Sequence, residues 1–217
     1  MPEVFLKSLR QKIATSDLCL CDKCEISYRL FRAIRENETE ELFLNWFTTV
    51  GDMVADSFVV VGNYKNKLFR TDDALLCLKN DDRQRQYGTV LILHRTDELR
   101  RTKKRVGLGV SFFNTQIVVD ANFVDLYKDI FLFLESFDVF ISVTIVKSVK
   151  IWNLLTSLGV VSYSNFEQTI SLDSYSAYTH LEQIIGSVRD SGIQVSFELL
   201  NHTKKYRLQD LKKFLLI

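Results

Sequence analysis

Apolar positions in the first 56 residues recur every three to four places. Val4, Phe5, Leu9 and Ile13 make one stripe; Cys24, Tyr28, Phe31 and Ile34 make a second; Leu42, Phe43, Trp46, Val50 and Val54 make a third. That spacing predicts amphipathic helices. Asn37 followed by Glu38-Thr39-Glu40 reads as an N-cap with acids in the first turn, so the second and third stripes are expected to form an αα-hairpin. Phe5, Phe31, Phe43, Trp46 and Phe47 carry more ring surface than such a pair hides from water, and these helices must pack on something.

From Ser57 the period changes to two. Phe58 to Val61 and Lys67 to Arg70 flank Gly62-Asn63-Tyr64-Lys65-Asn66, the pattern of a hairpin. Thr71-Asp72-Asp73 is expected to cap a short helix carrying Leu75, Leu76 and Leu78. Strands are expected at Thr89 to His94, Val106 to Phe112 and Thr115 to Val119, forming an antiparallel sheet. The intervening stretch, Thr96 to Arg105, shows no apolar periodicity and reads as a solvated loop. A helix over Asn122 to Glu135 puts Phe123, Val124, Tyr127, Ile130, Phe131 and Leu134 on one face.

The last third alternates strand, helix, strand, strand, helix, strand. Val139, Ile141, Val143 and Ile145 line one side of a strand. Ser148 is placed to cap a helix with Val149, Trp152, Leu155 and Leu158 on its stripe, ended by Gly159. Val160 to Tyr163 and Phe166 to Leu172 read as a hairpin turning at Ser164-Asn165. A second helix starts at Asp173 or Ser174 and ends at Gly192, and Ile193 to Leu199 follows as a strand, with an amphipathic helix over Leu208 to Leu216. This order predicts a ferredoxin-like βαββαβ unit. The fold class expected is therefore α+β, with a helical region over 1–56, an antiparallel sheet with a covering helix over 57–137 and the ferredoxin-like unit over 138–217, in one globule.

Composition narrows the classes. The chain has 217 residues, 47% of them hydrophobic, enough to bury roughly 70% of the surface of the unfolded chain without a disulfide or metal. With 28 Lys and Arg against 27 Asp and Glu, there is no global field to draw it onto nucleic acid or an anionic membrane. Glu3 and Lys7 interrupt what would be the core of a signal peptide, and Asp125, Lys128, Asp129, Glu135 and Asp138 break the most apolar run, so neither secretion nor membrane insertion is expected. An intracellular setting, nucleus or cytoplasm, follows as the expectation.

Candidate chemistry is sparse. Cys19, Cys21 and Cys24, with Cys77 as a distal fourth thiol, could enclose zinc tetrahedrally. The spacing is not a repeated knuckle, and buried or idle thiols are the preferred reading, so no metal is expected. Arg100-Arg101-Thr102-Lys103-Lys104-Arg105 packs five cations into six residues; Arg95 and the Lys204-Lys205 pair could widen a patch for phosphates or an acidic partner. Asp97 and Glu98 partly offset it. Gly107-Leu108-Gly109 lacks the third glycine of a dinucleotide loop. His94, His180 and His202 stand in no nucleophile motif.

These features lead to a non-enzymatic intracellular protein-interaction subunit of a larger assembly, nuclear or viral settings included, with Phe5, Phe43, Trp46 and Phe47 at its interface. Protein partners or self-association are expected, with no membrane and no small-molecule cofactor. The alternative is nucleic-acid or chromatin binding through residues 100–105. An enzyme of unknown class ranks third.

Overall fold

The computed structural model describes residues 29–54, 57–63, 65–81, 85–143, 149–157, 174–191 and 196–199. Along them strands and helices alternate: β1 (Arg29–Ala33), α1 (Glu40–Val54), β2 (Ser57–Val61), α2 (Thr71–Lys79), β3 (Gln86–Leu91), α3 (Glu98–Gly107), β4 (Phe112–Thr115), α4 (Phe123–Leu126), α5 (Lys128–Phe133), β5 (Asp138–Val143), α6 (Val149–Ser157), α7 (Ser174–Ser191) and β6 (Ser196–Leu199). The chain divides into two compact units, Met1–Val90 with Lys104–Ser111 and Leu91–Lys103 with Phe112–Ile217.

In the first unit β1 pairs in parallel with β2, and β2 in parallel with β3, in a register that sets Arg32 beside Val60 and Val60 beside Thr89. In the second, β4 pairs in parallel with β5, and β5 with β6, so that Ser142 stands beside Glu198. Parallel neighbours need a crossover, and α1, α2, the α4 and α5 pair, and α6 with α7 lie in the connections that supply it. This is an α/β architecture in which, within each unit, strands follow one another in space as in sequence.

The expected antiparallel sheet and ferredoxin-like unit are thus corrected. One hairpin inside a βαββαβ unit would set its first and last strands antiparallel, whereas β5 and β6 run parallel. Phe58 to Val60 on β2 and all of β4 are buried in succession, the mark of strands covered on both faces rather than half-solvated ones. The segment expected as the second helix contains β1, Lys67 to Arg70 leads into α2 instead of forming a strand, and Val106 to Phe112 takes in the end of α3 and the start of β4. Gly109 turns the chain there at φ 90°, and a Cβ on it would stand 2.5 Å from the Tyr87 hydroxyl. The helix expected over Asn122 to Glu135 breaks at Tyr127 into α4 and α5. The helices α1, α2, α6 and α7 lie where apolar periodicity places helices. The expected helices at 4–13 and 208–216 and the hairpin at 160–172 lie outside the described residues, as do Ser148, Gly159 and Gly192.

Each unit has its own apolar interior. In the first, Phe43 and Phe47 of α1 are buried against Phe69 and Phe58, with ring centroids 5.5 and 5.1 Å apart, and Leu75 and Leu78 of α2 join them. Burying each such side chain is worth about 1.5–3 kcal/mol. In the second, Phe123 meets Phe131 and Phe113 meets Phe137, while Trp152, Leu155, Leu181, Ile184 and Val188 are buried from α6 and α7. No described helix is long and apolar enough to cross a membrane.

Candidate functional site

The site is built in the first unit, from the segments that follow β1 and β2. Thr39 caps α1, its hydroxyl accepting the Leu42 N–H at 3.3 Å, and Glu40 and Glu41 place acids at the positive end of the helix. The start of α2 is held by Asp73, whose carboxylate reaches back to accept the Arg70 N–H at 2.7 Å. Asn66 ties the two segments together. Its buried amide donates to the carbonyls of Arg35 and Glu38 at 3.0 and 2.9 Å and accepts the N–H groups of Leu68 and Phe69 at 3.0 and 2.9 Å.

Beneath them Arg32 and Glu38 form a buried ion pair at 2.5 Å. The second Glu38 oxygen accepts the Arg35 N–H at 2.9 Å, and Arg32 also donates to the Ala33 carbonyl while its guanidinium lies 4.6 Å from the Trp46 ring centroid and 5.9 Å from that of Phe43. The end of β1 is thereby tied to the turn ahead of α1 and to the rings of that helix.

Between them opens a cleft of about 340 Å³. Leu68, Phe69 and Leu76 supply its apolar lining, and Glu40, Asp73, Cys77 and Asn80 its polar lining, with Glu38 and Thr39 completing it. Burial pushes the Cys77 thiol up to about 11, helped by the Glu40 charge, by an S–H hydrogen bond to Glu40 and by Asp73. At neutral pH Cys77 is therefore a thiol, neither a nucleophile nor a ready metal ligand. Alkylation of Cys77 by iodoacetamide, followed on its own peptide by mass spectrometry, is expected to rise with pH about a midpoint near 11; a midpoint near an ordinary thiol's would contradict this environment.

The remaining residues singled out in the sequence fall elsewhere. The basic run is the helix α3, not a loop. Arg100 and Arg101 both bind Asp97, at 2.8 and 2.9 Å, and the Arg101 hydrogen bond, with that of Arg100, holds the Asp97 carboxyl below its ordinary range. Lys104 binds Asp72 at 2.6 Å; buried Arg105 donates to the Val90 carbonyl at 3.1 Å; Arg95 pairs with Glu98 at 3.5 Å; Lys103 lies over the Phe133 ring. Each of these cations thus has a partner within its own chain. Of the expected interface rings, Phe43 and Phe47 belong to the interior and Trp46 is half-buried. Phe5, Cys19, Cys21, Cys24, Lys204 and Lys205 lie outside the described residues. Among the described residues no group of His, Cys, Asp and Glu is arranged to hold a metal ion. Sequence reasoning missed Arg32, Glu38, Asn66 and Glu40; a charge on a strand and an asparagine in a loop give no apolar signal.

No family model matches this chain, and no curated protein matches it. Among solved structures it is similar to an uncharacterized protein from Clostridium thermocellum that binds two copies of 5-methyl-5,6,7,8-tetrahydrofolic acid. The likeness has a TM-score of 0.61 at 18% identity and covers 89% of this chain and 72% of that one. At that identity it shows the fold. The expectation of an interaction subunit without a small-molecule partner is corrected by it, since a protein of this fold holds a small molecule, and two of the four rings assigned to an interface, Phe43 and Phe47, are core.

Proposed function

We propose that this chain binds a small organic molecule in the cleft between the segments that follow β1 and β2. The observation that carries this reading is position. The cleft runs along one flank of α2, from Asp73 to Asn80, and its other wall is the start of α1 and the segment after β2, so that one end of it reaches the carboxyl ends of two adjacent parallel strands, where α/β proteins hold their ligands. A volume of about 340 Å³ is in the range of small-molecule pockets and suits a bicyclic ring, with longer substituents running out over exposed Leu68. The folate bound by the structural neighbour adds support for a heterocyclic ligand. The reading is one of binding, with no catalytic step assigned.

Titration calorimetry with 5-methyl-5,6,7,8-tetrahydrofolic acid and a panel of smaller heterocycles tests it. Leu76 projects from α2 at 47% exposure, so Leu76→Trp fills the cleft without disturbing the core. Saturable binding by the unaltered chain and at least about tenfold weaker binding by Leu76→Trp are expected, a loss of about 1.4 kcal/mol. Binding indifferent to Leu76→Trp would move the site elsewhere, and no binding by any of the panel would end the proposal.

A further inference from the structure

The lining of the cleft is one-sided in chemistry. Its apolar part, Leu68, Phe69 and Leu76, includes two exposed leucines, and none of its described lining residues is basic. The three carboxylates differ in what already occupies them. Glu38 is neutralised by Arg32, and Asp73 is engaged at the start of α2 by the Arg70 N–H. Glu40 instead lines the cleft beside the Cys77 thiol, which is among the weakest donors a protein offers. A ligand N–H displaces such a donor at little cost and gains a charge-assisted bond.

Resting on the reading of the cleft as a ligand site, we infer that Glu40 selects a planar ligand presenting a cationic or paired N–H edge, an amidine or an aminopyrimidinone, whose ring lies on Leu68, Phe69 and Leu76. Anionic rings of the same shape are disfavoured, because Glu40 and Asp73 both carry negative charge at the cleft. Glu40 is exposed at the first position of α1, so Glu40→Gln keeps the shape of the cleft and removes only its charge.

Benzamidine and benzoate form the matched probes, one cationic with two N–H groups on its edge and one anionic, each titrated by ligand-observed NMR into the unaltered chain, Glu40→Gln and Leu76→Trp. Benzamidine is expected to bind the unaltered chain, to bind Glu40→Gln about 10- to 100-fold more weakly, as loss of a hydrogen bond to a charged group predicts, and to lose its site in Leu76→Trp. Benzoate is expected to show no saturable binding. Bound benzamidine should also displace the Cys77 S–H from Glu40, and the alkylation profile of Cys77 should shift with it. Equal binding of benzoate, binding of benzamidine indifferent to Glu40→Gln, or no binding of benzamidine at millimolar concentration each overturns the inference. If heterocycles are lost in Leu76→Trp yet bind Glu40→Gln unchanged, the cleft stands as the ligand site and Glu40 falls as its selector.

Discussion

Arg32→Met is expected to destabilise the chain by about 3–5 kcal/mol, because it strands the Glu38 carboxylate in a place from which water has been removed. The Arg32 and Glu38 side chains are 9% and 2% exposed, and their 2.5 Å pair is the contact that makes the burial of either tolerable. Methionine retains most of the arginine stem but removes the guanidinium that lies over Phe43 and Trp46, so the single-variant loss reports the ion pair together with these ring contacts. The double variant Arg32→Met with Glu38→Gln should recover most of the stability, since a neutral amide still accepts the Arg35 N–H that Glu38 now holds. Urea denaturation of the two single variants and the double variant closes a cycle whose coupling isolates the pair. A single-variant cost below about 1 kcal/mol would mean that water reaches the pair and that it belongs with surface ion pairs.

The same pair explains why part of the fold was hard to read. Around β1 the apolar residues Cys24, Tyr28, Phe31 and Ile34 happen to fall at helical spacing, while the strand buries Arg32, a charge that hydropathy scores as outward. α3 repeats the difficulty. Its buried stripe is Glu98, Thr102 and Arg105, at i, i+4 and i+7, each 5% exposed or less, so a helical period was present but written in polar letters. Where burial and apolarity coincide, as in α1, α2, α6 and α7, the periodicity located the helix. Strand direction was the larger loss. Phe58 to Val61 is an unbroken apolar run, the composition of a strand covered on both faces, and reading it as one arm of a hairpin turned a βα connection into a turn. The cleft itself depends on that direction, because the segments after β1 and β2 come together only if the two strands run the same way.

Asn66 is where that juxtaposition is made, and Asn66→Ala is expected to cost about 3–5 kcal/mol, from four hydrogen bonds whose partners are left inside the protein. The amide is used to its full capacity, two donors to the carbonyls after β1 and one oxygen shared by two N–H groups ahead of α2, and no other side chain of that size offers both. Asn66→Asp keeps the acceptor and sets a negative charge against the Arg35 and Glu38 carbonyls, so it should be no better than alanine, whereas loss of shape alone would spare it. The damage should also be local. Amide exchange at Leu68 and Phe69 is expected to accelerate well before that of Val59 in the interior of β2, because the two N–H groups lose their acceptor while the strand ladder remains. If both amides exchange at their original rates in Asn66→Ala, the two segments are held by something other than this side chain, and the cleft does not owe its shape to it.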